Sequence, residues 1–320
     1  MESKNGLMMK VLFISSGNSL NGISSIIFNQ GESLKKNGMI LEYLTIKGSG
    51  LIGYLKSIPR IRKHIKQNKY DIVHAHYSLS AFAASLAGAR PLIVSLMGSD
   101  VKSKKIYKIG IKVFNLLFWS TIIVKSEDMK NSLGLKSALV IPNGVDTDKF
   151  TPINRKEALD YTKWDENKRH VLFAANPNRY EKNYKLAQNA FELINGSNIE
   201  LHSLINIKNE HMPFYINASD VVLLTSLWEG SPNVIKESMA CNRPIVSTDV
   251  GDVKYMIKKI DGCYVTSFNE EDIKQKIILA LEFSKTQGIN RIKQLELDSN
   301  SIAKKVIAHY LNVKKIMVRY

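Results

Sequence analysis

Two glutamates eight residues apart, Glu229 and Glu237, stand in the stretch SLWEGSPNVIKESMACNRPIVSTDVGDV, residues 226–253. The apolar run DVVLLTS (220–226) reads as a strand, WEGSPN as a loop, and a helix is predicted to start near Asn233. A helix start leaves backbone N–H groups without intrahelical partners and is a ready anion site. Here it would be built from Gly230, Ser231, Pro232, Asn233 and Val234. Gly230 lets the backbone come close to a ligand, and Pro232 suits a helix first turn. The two carboxylates flank this anion site, and Glu237, about one turn into the helix, can face the same strand ends as Glu229. Carboxylates there repel a bare phosphate. They suit a ligand that joins a diphosphate to hydroxyl-rich groups, because a carboxylate accepts hydrogen bonds from paired hydroxyls. A nucleotide sugar has that composition. The plainer alternative is two helix-start acids that favour the helix dipole.

The loop needs a sheet to carry it. Short β-branched runs alternate with helical stretches: VLFIS (11–15), LEYLTI (41–46), DIVHAH (71–76), PLIVSL (91–96), TIIVKS (121–126) and ALVIP (138–142), with SSIIFNQGESLKKNG (24–38) as one intervening helix. The Pro/Gly/Asp-rich PNGVDTDKF (142–150) interrupts the series, which restarts with HVLFAA (170–175), IELHSLI (199–205), DVVLLTS, RPIVST (243–248) and GCYVT (262–266). Strands at this spacing with helices between them predict an α/β chain with parallel sheets. The expected domains are 1–148, 149–300, and a closing helix at 301–320 that packs back toward the N-terminal domain. Its apolar face would carry Ile302, Val306, His309 or Tyr310, and Val313. The chain has 320 residues, 44% of them hydrophobic, enough for two cores.

The net charge of +16 is lopsided: residues 1–150 hold 21 Lys/Arg against 9 Asp/Glu. No acid occurs from Tyr43 to Tyr70 or from Val101 to Ser126, while Lys102, Lys104, Lys105, Lys108, Lys112 and Lys125 fall in the second stretch. A basic half implies an anionic partner, be it nucleic acid, anionic lipid or a phosphorylated substrate. The basic runs lack a recognised nucleic-acid motif, so no nucleic acid is expected. The helix predicted from Ile58 places Ile58, Ile61 and Ile65 on one face among Arg60, Arg62, Lys63 and Lys66. That pattern fits either a membrane interface or a core-facing surface helix. Two cysteines, Cys241 and Cys263, make no disulfide scaffold and suit a reducing compartment. The N-terminal residues lack a signal-peptide layout, so a cytoplasmic place is expected.

GSGLIG (48–53) matches the dinucleotide fingerprint G-x-G-x-x-G by letters. It follows the second strand rather than the first, Asp71 stands at the start of the next strand rather than its end, and Pro59 does not suit the interior of a helix starting at Gly53. A dinucleotide site is therefore not expected. His74 and His76 form H-x-H at a strand end; a metal site needs further ligands, none is evident, and structural or acceptor-side roles remain.

EGSPNVIKE resembles the E-x(7)-E motif of glycosyltransferase family 4, retaining enzymes of GT-B fold, with two Rossmann-like domains facing a central cleft. The resemblance covers most of the chain. VIPNGVDTDKF is similar to the family's linker, NRYEKNYKLAQNAF (178–191) to its Arg/Lys donor-phosphate segment, YDIVHAHYSLSAFAASLA and VSLMGSD to N-domain segments, and SLNGISS (19–25) to its glycine loop. The resemblance implies a nucleoside diphosphate sugar donor, with Glu237 on the ribose hydroxyls, Glu229 near the transferred sugar, and Arg179 and Lys182 on the diphosphate. Gly22 would touch the donor, and Ser24 and His76 the cleft or acceptor side. No metal and no other cofactor is implied. It further implies a glycan or lipid-linked acceptor in capsule, exopolysaccharide or lipopolysaccharide synthesis, with peripheral attachment to an anionic membrane surface on its inner face. The chain departs from the family at Met97, where a His is usual, leaving Asp100 as the nearby polar candidate for catalysis. It also lacks the family's usual Gly-x-Gly strand end in the C-terminal domain. An epimerase of the same fold and a basic nucleic-acid-binding protein are the competing functions.

Overall fold

A computed structural model describes residues 9–19, 22–48, 50–101, 105–194, 196 and 198–318. Leu20 and Asn21 of the glycine loop, Ser49 of GSGLIG, Lys102 and Lys104 of the second basic run, and Arg319 and Tyr320 of the tail lie outside the described residues. The chain divides into two compact units, Met1–Asn143 with Ser299–Tyr320, and Gly144–Asp298. The division thus falls five residues before the expected one, because Val145 is held inside the second unit, donating its N–H to the carbonyl of Leu297 at 2.9 Å.

Among the described residues, unit 1 holds a six-stranded parallel sheet. Its strands are β1 (Lys10–Ser16), β2 (Ile40–Ile46), β3 (Ile72–His76), β4 (Leu92–Ser95), β5 (Thr121–Val124) and β6 (Leu139–Val140), in the order β2-β1-β3-β4-β5-β6. Both faces are covered, so the strands read as nearly continuous apolar runs. Alternate β1 residues enter different layers, Leu12 and Ile14 on one side, Val11 and Phe13 on the other. Helix Ser299–Val318 joins the second layer, where Ile302, Val306, Tyr310 and Val313 are buried beside helix Ser25–Lys36.

The glycine pattern at 48–53 serves packing. Gly48 has φ +124°, a value that L side chains rarely adopt, and a methyl group on Gly53 would sit 2.7 Å from the Gly48 carbonyl carbon. Asp71 accepts hydrogen bonds from the Lys10 N–H at 2.8 Å and pairs with Lys314 at 2.7 Å, so it ties β1 and the closing helix to the start of β3. The helix expected to begin near Ile58 is preceded by another, Gly50–Lys56; the chain breaks at Ser57 and restarts as Ile58–Gln67 with Pro59 in its first turn. Proline's missing N–H explains the break. Ile61 is fully buried and Ile58 and Ile65 pack on the same core, so that helix turns its isoleucines inward.

Unit 2 holds, among the described residues, a five-stranded parallel sheet of β7 (Arg169–Phe173), β8 (Ile199–Ser203), β9 (Val221–Leu224), β10 (Ile245–Thr248) and β11 (Cys263–Thr266), ordered β11-β10-β9-β7-β8. After β8 the chain crosses to the other side of β7, so the order reverses between β7 and β9. Ligands of open α/β sheets bind outside the carboxyl ends of the strands at such a switch point. In unit 1 the reversal lies between β1 and β3.

Candidate active site

The loops leaving β7 and β9 emerge side by side at the switch point of unit 2. Three hydrogen bonds join them. Thr225 Oγ1 donates to the carbonyls of Lys182 (3.1 Å) and Asn183 (3.0 Å), and the Leu227 N–H donates to the Glu181 carbonyl at 2.9 Å. Asn183 turns the chain with φ +53°, a left-handed value that Asn tolerates, and helix Tyr184–Glu192 follows. This clamp brings Lys182 onto Glu229. The ammonium and the carboxylate form an ion pair, their side chains only 12% and 16% exposed, and Ser226 Oγ donates to the same carboxylate oxygen at 2.8 Å. Arg179, by contrast, is exposed and pairs with its neighbour Glu181, its Nε donating at 2.8 Å.

Behind β9, Pro232 occupies the cap position of helix Asn233–Ala240, one residue ahead of the first turn expected for it. Its lack of an N–H is harmless there. The loop is braced from below. Lys236, fully buried, donates from Nζ to Ser231 Oγ at 2.7 Å and to the Ser231 carbonyl at 3.2 Å. Burial lowers its pKa, opposed first by the charge of Asp252 and then by Glu237 and Glu229. Gly251 (φ +60°) presses against the loop so closely that a methyl group would lie 2.5 Å from the Gly230 carbonyl oxygen. Thr248 Oγ1 donates to the Ser226 carbonyl at 2.8 Å. The missing side chain of Gly251 therefore lets the β10 loop close on the Gly230 backbone.

Glu237 is pushed up to about 7 by burial, against the pull of Lys236, Lys149 and a hydrogen bond from Asn209. Lys149 donates to Asn209 Oδ1 at 2.6 Å and is itself lowered by burial. No sequence motif marks Lys149, Asn209 or Asp252 as neighbours of Glu237 or Lys236. Lys236 alone carried a signal, as a lysine on the apolar side of the helix between Ile235 and Met239. Asn233 Oδ1 is buried and has no partner among the described residues.

In unit 1 the sequence-predicted residues sort differently. Asp100 is buried and its two carboxylate oxygens accept from the N–H groups of Ser78 (3.2 Å) and Met97 (2.7 Å). It thereby holds the start of helix Ser78–Leu86 to the end of β4, and burial raises it to about 6. Ser24 caps helix Ser25–Lys36, its Oγ accepting from the Ile27 N–H at 3.5 Å. Gly22 closes a turn with φ +79°, its N–H donating to the Ser19 carbonyl at 2.9 Å. His74 is engaged at both ring nitrogens, Nδ1 lying 2.5 Å from the Tyr310 hydroxyl and Nε2 2.8 Å from Ser95 Oγ. His76, equally buried at the end of β3, has a partner at neither nitrogen among the described residues. Burial and the nearby Lys125 hold it neutral.

A cluster no sequence motif announced lies at the β7–β8 edge of unit 2. His170, Glu200 and His202 bring one ligand atom each within 4.8 Å of one another. His170 Nε2 donates to the Asp165 carbonyl at 2.9 Å, His202 stacks on Trp164 at 3.7 Å, and Glu200 pairs with Lys168 at 2.6 Å. These contacts account for the group as an edge-strand network.

Two family profiles match the chain, "Glycosyltransferase Family 4" over residues 40–149 and "Glycosyl transferases group 1" over 165–282. Between them they cover well over half of it. The chain is a family 4-type glycosyltransferase. The glycosyltransferase is 26% identical to the UDP-Gal:alpha-D-GlcNAc-diphosphoundecaprenol alpha-1,3-galactosyltransferase of Escherichia coli, over 74% of this chain and 76% of that one. Among solved structures it is similar to sucrose-phosphate synthase from Thermosynechococcus elongatus (TM-score 0.79, 14% identity, 95% of this chain and 99% of that one). It is also similar to Anabaena Alr3699/HepE, solved in complex with UDP and glucose (TM-score 0.71, 16% identity, 95% and 99%). These likenesses, with the two parallel sheets, make the fold GT-B.

Proposed function

We propose that this glycosyltransferase moves a sugar from a nucleoside diphosphate sugar to a lipid-diphosphate-linked glycan, with retained anomeric configuration, in assembling a bacterial surface polysaccharide such as a capsule, exopolysaccharide or lipopolysaccharide. The observation that carries the donor reading is the switch point of unit 2, where a clamped Lys182–Glu229 pair and a partly buried Glu237 share one strand edge with a helix N-terminus. An incoming diphosphate would take Lys182 from Glu229, joined by exposed Arg179 and the N–H groups of 230–234. Positive charge aimed at the leaving group acts most where charge develops in the transition state. Glu237, once ionised, accepts from the two ribose hydroxyls, and Glu229 faces the transferred sugar. The bond from the anomeric carbon to the diphosphate breaks through an oxocarbenium-like state. The acceptor oxygen bonds to the same face of that carbon and its proton passes to the departing phosphate oxygen. Positioning and charge are the protein's part, and in this reading Lys182, Arg179 and the N–H groups supply the positive charge on the diphosphate without a metal.

In unit 1, His76, whose ring nitrogens have no partner among the described residues, is on the acceptor side in this reading, with Gly22 and Ser24 on the neighbouring β1 loop. Asp100, bound by two backbone N–H groups, keeps the β4 end in place. The Escherichia coli relative's name specifies a diphosphoundecaprenol acceptor, which supports a lipid-linked one here and peripheral attachment to an anionic membrane face. No helix among the described residues is long and apolar enough to cross a membrane.

The test is a thermal-shift panel of nucleoside diphosphate sugars on wild type and Glu237→Ala, each read against its own ligand-free melting point. The expected result is one donor that raises the wild-type melting temperature and leaves the variant unmoved. If no nucleotide sugar shifts the wild type, the donor assignment fails.

A further inference from the structure

Helix Lys105–Leu117 has two apolar faces. Ile111 is fully buried, and Tyr107, Phe114 and the following Phe118 pack on the unit 1 core. The opposite side carries Ile106, Ile109, Val113, Leu116 and Leu117, all exposed, Leu116 by 84%. At about 100° per residue these five fall within an arc of about 100°. Lys105, Lys108 and Lys112 line one edge of that arc, and the surrounding stretch from Val101 to Ser126 contains no acid. Helix Gly50–Lys56 repeats the arrangement with Leu51, Ile52 and Leu55 exposed beside Lys56. Both helices pack against helix Ser78–Leu86. Scattered exposed hydrophobics are ordinary, but a contiguous apolar face on one helix, edged by cations, is not.

We propose that this face of helix Lys105–Leu117, together with helix Gly50–Lys56 that packs on the same helix Ser78–Leu86, is where unit 1 lies on an anionic lipid bilayer, the aliphatic arc entering the headgroup boundary and the lysines meeting lipid phosphates. A lysine-edged apolar arc is the chemistry of an interfacial helix. Charge complementarity chooses the occupant: an uncharged apolar protein groove would cover the arc and leave the lysines and the acid-free segment unused. The inference gives the lipid-linked acceptor reading a physical site of attachment, and it can fail or hold apart from that reading. It also moves the membrane contact away from Ile58, Ile61 and Ile65, which face inward.

The experiment is co-sedimentation of the full chain with phosphatidylcholine vesicles, with and without phosphatidylglycerol, at low and high salt, with no donor present. Wild type should bind only vesicles that contain the anionic lipid, and high salt should weaken binding without abolishing it. The double variant I109S/L116S should bind at least about tenfold more weakly, because two large aliphatic groups no longer leave water. The variant K105E/K112E should lose its preference for anionic lipid. Circular dichroism and melting curves confirm that both remain folded, as expected for surface positions. The proposal is overturned if wild type stays in the supernatant at low salt, or if both variants bind like wild type. It is equally overturned if wild type ignores vesicles while sedimenting as a dimer that I109S/L116S dissociates, since a second copy is then the occupant. A vesicle-binding protein that no nucleotide sugar stabilises would keep the docking surface and remove the donor reading. The donor-induced shift should survive in I109S/L116S.

Discussion

Replacing Glu237 with glutamine should stabilise the ligand-free protein above neutral pH while removing donor binding. Glu237 sits at about 7 in the folded state against 4.5 for the free side chain, with burial as the main cause. The folded chain therefore holds this proton more tightly than the unfolded chain does. Stability from this group is fully present below pH 4.5 and is lost as pH rises through about 7. A displacement of about 2.5 units at about 1.36 kcal/mol per unit gives about 3 kcal/mol, an upper figure because the side chain keeps some access to solvent. Glutamine is close in shape to the protonated acid, so Glu237→Gln should gain up to about 3 kcal/mol at pH 8 and little at pH 4.5. Urea unfolding followed at both pH values, with a probe for unit 2, measures the difference. A variant no more stable than wild type at pH 8, or equally shifted at both pH values, would refute the reasoning. Donor affinity, measured separately, should fall sharply, because glutamine offers a single acceptor oxygen to two hydroxyls and carries no charge.

Donor binding at pH 7 should release a fraction of a proton per site, since hydroxyls donating to Glu237 favour its ionised form; calorimetry in buffers of different ionisation enthalpy reads it, and buffer-independent heats would contradict the role. Gly251→Ala should cost about 2 kcal/mol or more, from its left-handed backbone and the close Gly230 carbonyl, and should lower activity by displacing the 229–232 loop; a melting curve unchanged from wild type would count against this. Lys182→Met should lower kcat/KM by roughly 100-fold or more with little effect on folding, and a rate within threefold of wild type removes Lys182 from the leaving-group site. His202, pushed down to about 4 by burial and by its neighbour His170, gives stability present above its ordinary value of 6.5 and lost as pH falls toward 4. The wild-type melting temperature should therefore drop over that range more than that of His202→Gln.

The alternating strand and helix runs were enough to expect two parallel-sheet units, because strands buried on both faces leave continuous β-branched runs in the sequence. Glu229 and Lys182 could each be picked from their own loops, and the Thr225 clamp is what brings them into one ion pair. Lys149 and Asn209 beside Glu237 left no local mark: one lies in what reads as a linker and the other in a loop far along the chain, and only folding makes them neighbours. The helix Gly50–Lys56 was hidden by reading Pro59 as the sole start signal, although a chain can stop at Ser57 and begin again. The outer face of Lys105–Leu117 was also illegible. A helix apolar on most sides shows where its hydrophobics are but not which of them the core takes.

Hydrogen-bond satisfaction differs among residues that look alike in the sequence. Asp71, Asp100 and His74 are polar groups at strand ends, as candidate site residues are, and each has its atoms engaged: two partners for Asp71, two backbone N–H groups on Asp100, Tyr310 and Ser95 on His74. Such contacts hold segments together. Nearly all buried polar atoms in folded proteins find partners, so the few that do not ask for a reason. His76 lacks a partner at both ring nitrogens and Asn233 at its side-chain oxygen among the described residues, and Glu237 ionises only at a cost. All three lie at the carboxyl edges of the two sheets, His76 and Asn233 beside the order reversals where ligands of such sheets bind. In unit 2, a ligand rich in hydroxyl groups would supply donors to the Asn233 oxygen and the Glu237 carboxylate. The two histidines of H-x-H thus differ in their bonding: His74 fastens the closing helix to the sheet, and the ring nitrogens of His76 have no partner among the described residues.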